Sequence, residues 1–151
     1  ELAEIVKIVA DDEGIGKPYG YDSLYEQYTQ RKEENFGRNF VLRDEETNDI
    51  ICHAGTYAEL PELAVIGGVI TAPAYRGKGY AAEAAKKVME FGFDDLALQR
   101  IEARYMIDNT ASKRVMDKLK MQFEGVHRNA VQLRGEFVSV GVCSILRDEF
   151  K

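Results

Sequence analysis

The chain has 151 residues, enough for one domain with a buried core, and 45% hydrophobic with 30% charged residues is an ordinary globular composition. Its net charge of −6 argues against a nucleic-acid partner, which requires a basic face, and is compatible with a cationic substrate. No apolar run suggests a membrane span, and no signal-peptide pattern is present. Cys52 and Cys143 are too few for a disulfide framework and lack metal-ligand spacing, so we expect a cytoplasmic protein without a metal site.

Two helices are predicted at the start of the chain. Apolar residues recur at helical spacing over residues 2–10 and predict the first helix. A polar, glycine-containing loop follows over residues 11–22. Ser23 and Glu26 then have the spacing of a capping box, which predicts a second helix from Ser23 to about residue 34.

Three strands are predicted next. Residues 36–43 and 50–58 read as a hairpin joined by an acidic turn, and residues 63–71 as a third strand ended by a proline. Gly67 and Gly68 lie inside this third strand, where glycine is unfavourable unless the backbone bulges or is approached closely. A bulge is therefore predicted there.

The second half of the chain alternates strands and helices. A helix with an alanine-rich stripe begins at Gly79 and ends near residue 93, and a strand with inward positions from Ile101 to Ile107 follows. Asn109 is predicted to cap another helix, and two strands joined by a tight turn at residues 134–135 close the chain. This order predicts an α/β domain with a mixed sheet.

The turn at residues 76–79 is predicted to bind an anion. Glycines allow close backbone approach, and the first turn of a helix offers unpaired N–H groups and the positive end of a dipole. Gly-x4-Gly-Lys-Ser/Thr is absent. Residues 77–82 match the looser dinucleotide fingerprint, but an antiparallel meander precedes them and the next strand has no acidic end before Asp108.

Three ordered segments carry a family resemblance. "APAYRGKGYAAEA" resembles the acetyl-CoA signature of the GCN5-related N-acetyltransferase (GNAT) superfamily. "DNTASKRVMDKLKMQFEG" and "LRGEFVSVGVCSIL" are similar to segments of its RimJ/RimL-type branch. The resemblance implies a single N-acetyltransferase domain over residues 1–151, with a mostly antiparallel mixed sheet flanked by helices and acetyl-CoA between splayed strands. Family members begin with a strand that is apparently absent here, because residue 1 already lies in the first helix.

The resemblance also implies which residues bind acetyl-CoA as co-substrate. The pyrophosphate would lie on the glycine turn, and the pantetheine arm would pair with the end of the third strand. The implied contact residues are Ile70, Thr71, Arg76, Gly77, Lys78, Gly79, Tyr80, Ala81, Asn109 and Ser112.

The resemblance assigns only some of the catalytic roles to residues of this chain. Ser112 would donate a proton or hydrogen bond to the leaving thiolate, and Asn109 would hold the pantetheine or a water; Met116 replaces the tyrosine that acts as the acid in many relatives. Two family positions for a glutamate base hold Ile66 and Val131 instead. The remaining candidates for the base are Glu59, which we select, and Glu62, Tyr105, His53 and His127.

The expected function is direct transfer of acetyl from acetyl-CoA to a primary amine in a ternary complex. The acceptor would be a protein N-terminal α-amine or a small amine such as a polyamine or aminoglycoside. The loop over residues 11–23 and the turn over residues 57–63 would line its site, and a homodimer is compatible with the resemblance. A non-catalytic module that binds acyl-CoA and a dinucleotide-binding protein are the alternatives.

Overall fold

The structure, a computed structural model, describes residues 1–12 and 19–151. Residues 13–18, half of the predicted loop over residues 11–22, therefore lie outside the described residues. The elements in chain order are α1 (Leu2–Asp11), α2 (Tyr21–Glu33), β1 (Asn39–Arg43), β2 (Ile50–Glu59), β3 (Leu63–Thr71), a 3₁₀ turn (Pro73–Tyr75), α3 (Tyr80–Asp94), β4 (Arg100–Met106), α4 (Thr110–Lys118), β5 (Gln122–Leu133) and β6 (Glu136–Leu146).

One six-stranded sheet organises these elements, in the order β1-β2-β3-β4-β6-β5. All neighbouring pairs are antiparallel except β3 and β4, which run parallel and are connected through α3. A parallel pair requires such a crossover, whereas the antiparallel pairs need only turns. The predicted α/β domain with a mixed, mostly antiparallel sheet is confirmed.

Helices cover both faces of the sheet. Val88, Met89 and Phe93 of α3 bury against one face, where Ile101 and Cys143 are also fully enclosed. On the other face, α1 and α2 pack over the ends of β2 and β3 through a second cluster of buried residues: Ile5, Val6, Val9, Leu24, Tyr28, Ile50 and Ile70.

Among the described residues, no helix combines the length and apolar character needed to cross a bilayer.

Three predicted boundaries are wrong for local reasons. The capping box fails because α2 begins at Tyr21 after Gly20, so Ser23 lies inside the helix and accepts a hydrogen bond from Gln27 Nε2 at 3.3 Å. The first strand begins at Asn39, because Asn35 adopts a φ of 52° and residues 34–37 complete the turn after α2. The fourth strand ends at Met106, which leaves Ile107 39% exposed.

Candidate active site

The sheet opens between its two parallel strands. β3 and β4 pair from Leu63 and Arg100 as far as Ile66 and Ala103, where their pairing ends. Both strands point towards the same edge, and each is followed by a helix, α3 after β3 and α4 after β4. The N-termini of α3 and α4 therefore lie at the edge where the strands separate, and we call this space the sheet opening.

The predicted bulge in β3 lies at the start of the opening. His53 pairs with Ile70 and Gly55 pairs with Gly67, so Gly68 and Val69 together face the single residue Ala54 on β2. Gly68 has a φ of 59°, a conformation that glycine adopts without a steric penalty. Because of the extra residue, the side chains of Ile66 and Ile70 lie on opposite faces of the sheet. Ile66 is buried beneath α3, whereas Ile70 is buried beneath α1 and α2.

Backbone alternation determines which groups of β3 face the opening. The Ala72 N–H donates to the Ile51 carbonyl of β2 at 2.8 Å. Residues alternate in an antiparallel ladder, so Ile70 also presents its backbone to β2, and Val69 and Thr71 present theirs to the opposite side. Of the two positions predicted to pair with a pantetheine arm, Thr71 faces the opening, and Ile70 contributes a buried side chain to the α1–α2 core.

The glycine turn before α3 has open space where a ligand would approach. Gly77 and Gly79 have φ values of 79° and 94°, and a Cβ built on either would meet no atom within 4 Å. Gly79 is the N-cap of α3, and no side chain caps that helix. Apart from the Ala82 N–H, which donates to the Gly79 carbonyl at 3.1 Å, the N–H groups of the first turn face no capping side chain and suit an anion.

Aromatic side chains support this turn. The rings of Tyr75 and Tyr80 meet edge to face with centroids 6.2 Å apart, and Lys78 Nζ lies 5.4 Å from the Tyr75 centroid. The Tyr75 hydroxyl also donates to Asp44 at 3.4 Å. Lys78 thus remains at the glycine turn, where its charge would add to that of the helix N-terminus.

The Arg76 side chain is bound by the protein itself. Its Nε donates to the Thr71 carbonyl at 3.1 Å, and one terminal nitrogen donates to Asp12 at 3.2 Å. Because Arg76 is half exposed, the ion pair is worth roughly 1 kcal/mol or less, and its effect is mainly to hold the turn against β3 and the end of α1. Sequence reasoning missed Asp12, since nothing local relates it to a residue 64 positions away.

The N-terminus of α4 is capped, as predicted. Asn109 is its N-cap, and Asn109 Oδ1 accepts a hydrogen bond from the Ser112 N–H at 3.0 Å. Ser112 is half-buried in the first turn of the helix. The arrangement presents an amide and a hydroxyl beside the sheet opening, across from the α3 glycine turn.

Replacing Asn109 with alanine is expected to lower the free energy of unfolding by about 1 kcal/mol, because the cap to Ser112 is lost. Asn109→Asp keeps the accepting oxygen and should retain most of the stability. Thermal and urea unfolding of both variants measure the difference. Equal destabilisation by alanine and aspartate would contradict the assigned cap.

Glu59 lies apart from these groups. It pairs with Ala64 at the far end of β3, four residues before Gly68, so it is about 13 Å from the bulge along the sheet. Its carboxylate accepts hydrogen bonds from Thr56 Oγ1 at 2.6 Å and Arg38 Nε at 3.2 Å. A proton from the opening would reach Glu59 only through intervening groups.

The other candidates for a base have different surroundings. His53 is 1% exposed, and burial lowers its pKa. The Tyr105 ring is buried flat against Gly141 of β6, on the side of β4 away from the opening. His127 is exposed on β5, and Glu62 is exposed in the β2–β3 turn.

The cysteines are buried free thiols. Cys52 and Cys143 are both 0% exposed, and burial raises the pKa of each. A raised thiol pKa disfavours the nucleophilic thiolate. Within residues 1–12 and 19–151, no cluster of three or more His, Cys, Asp or Glu side chains could hold a metal ion.

The comparisons with known proteins agree with this geometry. The sequence profile of the Acetyltransferase (GNAT) domain matches residues 2–122. The uncharacterized N-acetyltransferase YnaD of Bacillus subtilis (strain 168) is 34% identical over 110 residues, which are 73% of this chain and 64% of YnaD. The chain thus spans less than two thirds of that relative's length. The spermidine N(1)-acetyltransferase of Vibrio cholerae is 25% identical over 140 residues, 89% of this chain and 78% of that protein.

A solved structure supports the fold independently. The acetyltransferase (GNAT family) from Bacillus anthracis superposes with a TM-score of 0.80 at 24% identity, over 98% of this chain and 90% of that chain. The domain match extends from α1 to the start of β5 and includes the bulged strand, the glycine turn and the α4 cap. The chain therefore belongs to the GNAT acetyltransferase family.

Proposed function

We propose that this protein transfers an acetyl group from acetyl-CoA to a primary amine. One observation carries the proposal: the uncapped glycine turn, the unpaired edge of β3 and the polar N-terminus of α4 all border one opening in the sheet. A helix N-terminus suits a pyrophosphate, and an open strand edge suits an amide-containing arm that pairs as a further strand. Acetyl-CoA carries both groups in one molecule.

The residues that would hold acetyl-CoA divide into three sets. The backbone of the turn from Gly77 to Ala81 would bind the pyrophosphate, with Lys78 adding positive charge and Arg76 holding the turn in place. The Val69 carbonyl and the Thr71 N–H would pair with the pantetheine arm, since the Thr71 carbonyl already accepts from Arg76 Nε. Asn109 and Ser112 would lie beside the end of that arm, where the thioester is attached.

The proposed chemistry forms an amide bond between the acceptor nitrogen and the acetyl carbon and breaks the C–S bond. The proton released by the amine is balanced by the one that the departing thiolate requires, for which Ser112 is the proposed donor. An ammonium of pKa about 10 must first lose a proton, and Glu59, through intervening water, is the proposed acceptor.

Two features favour a small cationic amine as the acceptor. The chain has a net charge of −6, which favours approach of a cation. One relative is named a spermidine N(1)-acetyltransferase, although the RimJ/RimL-type segments favour a protein N-terminal α-amine. A polyamine and an N-terminal peptide are therefore the acceptors to compare first.

Thiol release from acetyl-CoA in the presence of an amine panel tests the function. Spermidine, spermine, an aminoglycoside and a peptide with a free α-amine form the panel, and N-acetylspermidine is a control with one amine already blocked. We expect amine-dependent thiol release and an acetylated product in mass spectra. Acetyl-CoA binding with no acetylated amine from any member would contradict the proposal and favour a non-catalytic acyl-CoA-binding module.

A further inference from the structure

His53 is a buried imidazole at the back of the bulge in β3. It is 1% exposed, and its Nδ1 lies 2.8 Å from the carbonyl oxygen of Gly68. A carbonyl can only accept, so Nδ1 carries a proton and donates to Gly68. A buried hydrogen bond to a bulge residue is not required for packing alone, since an apolar side chain would fill the same space.

The surroundings hold the ring in this orientation. Nε2 lies 2.9 Å from the side-chain amide of Asn39 at the start of β1, and the Tyr28 ring packs 6.0 Å away. Burial lowers the pKa of His53, which favours the neutral ring with its proton on Nδ1. The Asn39 atom nearest Nε2 is Oδ1, so pairing with the accepting Nε2 requires the amide rotated by 180°, which brings its NH₂ group to that position. A Cβ at position 55 would lie 3.4 Å from Cε1 of the His53 ring, so a side chain larger than that of alanine would press on the ring.

The hydrogen bond fixes a peptide plane, because the carbonyl of Gly68 and the N–H of Val69 belong to one peptide group. In a planar trans peptide these two groups point in opposite directions. The His53 ring packs against Tyr28 on the α1–α2 face of β2, so with the Gly68 carbonyl held towards that ring, the Val69 N–H is directed away from the ring and from β2. The alternation derived from the Ala72 contact to Ile51 independently directs Val69 to the same side.

We infer that His53 is a positioning residue that aims the Val69 N–H at the thioester carbonyl oxygen of the acetyl donor. Negative charge develops on that oxygen as the amine adds to the carbonyl carbon, and a preoriented N–H stabilises this charge. Glycine at position 68 allows the bulge but also leaves the peptide free to rotate, and His53 removes that freedom. The inference rests on the proposed acetyl transfer and deepens it.

Three substitutions at one position separate orientation from packing. His53→Asn can place an amide NH₂ where Nδ1 was, whereas His53→Gln extends towards the Nε2 position, and His53→Leu has no donor. Val41→Ala is a matched packing control, since Val41 pairs with His53 on β1 and packs on the same cluster without contacting Gly68. Thermal unfolding identifies any variant that does not fold.

We expect His53→Leu to reduce kcat about 100-fold, in the range for loss of one oxyanion donor, with the KM for acetyl-CoA changed less than about threefold. The kcat of His53→Asn should be at least about tenfold higher than that of His53→Leu, and the kcat of His53→Gln should not be. Val41→Ala should lose stability without this loss of kcat. A folded His53→Leu variant with unchanged kcat would overturn the inference.

Two spectroscopic readouts do not depend on turnover. In the free protein, ¹⁵N NMR should show the His53 tautomer with the proton on Nδ1. With acetyl-CoA labelled with ¹³C at the thioester carbonyl, infrared spectra should show a lowered carbonyl stretch in the wild type and its return towards the free value in His53→Leu. An unchanged stretch on this substitution would overturn the inference about His53, whereas failure of every amine in the panel would contradict the proposed acetyl transfer and leave the stretch as the test of the Val69 N–H.

Discussion

Gly79→Val is expected to reduce acetyl-CoA affinity by about 100-fold or more. Gly79 has a φ of 94°, which a β-branched residue does not adopt without strain, and its Cβ direction is open to the space before α3. A valine would fill the space that the pyrophosphate needs and would displace the first N–H groups of the helix. Loss of two charge-assisted hydrogen bonds at about 1.5–3 kcal/mol each accounts for this magnitude. Isothermal titration calorimetry with CoA measures the change.

Backbone strain needs its own control. Gly135 has a φ of 82° in the β5–β6 turn and also faces open space, so Gly135→Val carries a comparable strain away from the sheet opening. Lys87→Ala tests charge, because Lys87 is exposed on α3 and pairs with Glu90 at 2.7 Å. Both controls should bind CoA within about threefold of the wild type, which is less than 1 kcal/mol. Near-normal affinity in Gly79→Val would remove the glycine turn from the proposed site.

Ser112→Ala is expected to reduce kcat by about 10- to 100-fold with little change in the KM for acetyl-CoA. The Ser112 hydroxyl is the proposed donor to the departing sulfur, and such a contact strengthens only as negative charge develops there. Its backbone N–H still bonds to Asn109, so the α4 cap survives the substitution. Steady-state kinetics with the best amine of the panel measure both parameters.

Ser112→Thr distinguishes the hydroxyl from the shape of the helix turn. Threonine keeps the hydroxyl donor and should retain most of the activity. The wild type and both variants should have similar melting temperatures. Alanine and threonine variants with equal kcat would exclude Ser112 from proton donation.

The features that the sequence predicted correctly are local ones. The glycine turn before α3, the Asn109 cap and the bulge at Gly68 each depend on a few adjacent residues whose backbone preferences differ strongly from the rest. The strand Leu63–Thr71 agrees with the prediction of a strand from about residue 63 to Thr71, because Pro73 cannot continue the ladder. The predicted start of the second helix is wrong. The sequence does not distinguish an N-cap at Ser23 from the observed N-cap at Gly20.

Contacts across the sheet determine the rest of the site. His53 meets Gly68 and Arg76 meets Asp12 only because strand register and the packing of α1 bring together segments 15 and 64 residues apart. Glu59 illustrates the limit most directly: its sequence position next to the turn made it a candidate base, and the register with Ala64 places it about 13 Å from the bulge.

The amino-acid sequence by itself therefore determined the local backbone geometry on which the proposed donor site depends, because glycines and a helix start encode that geometry. Only the tertiary structure decided which backbone groups face the opening and what orients them. Strand pairing sets the direction of every N–H and carbonyl in a sheet, and pairing is a property of two distant segments rather than of either one alone.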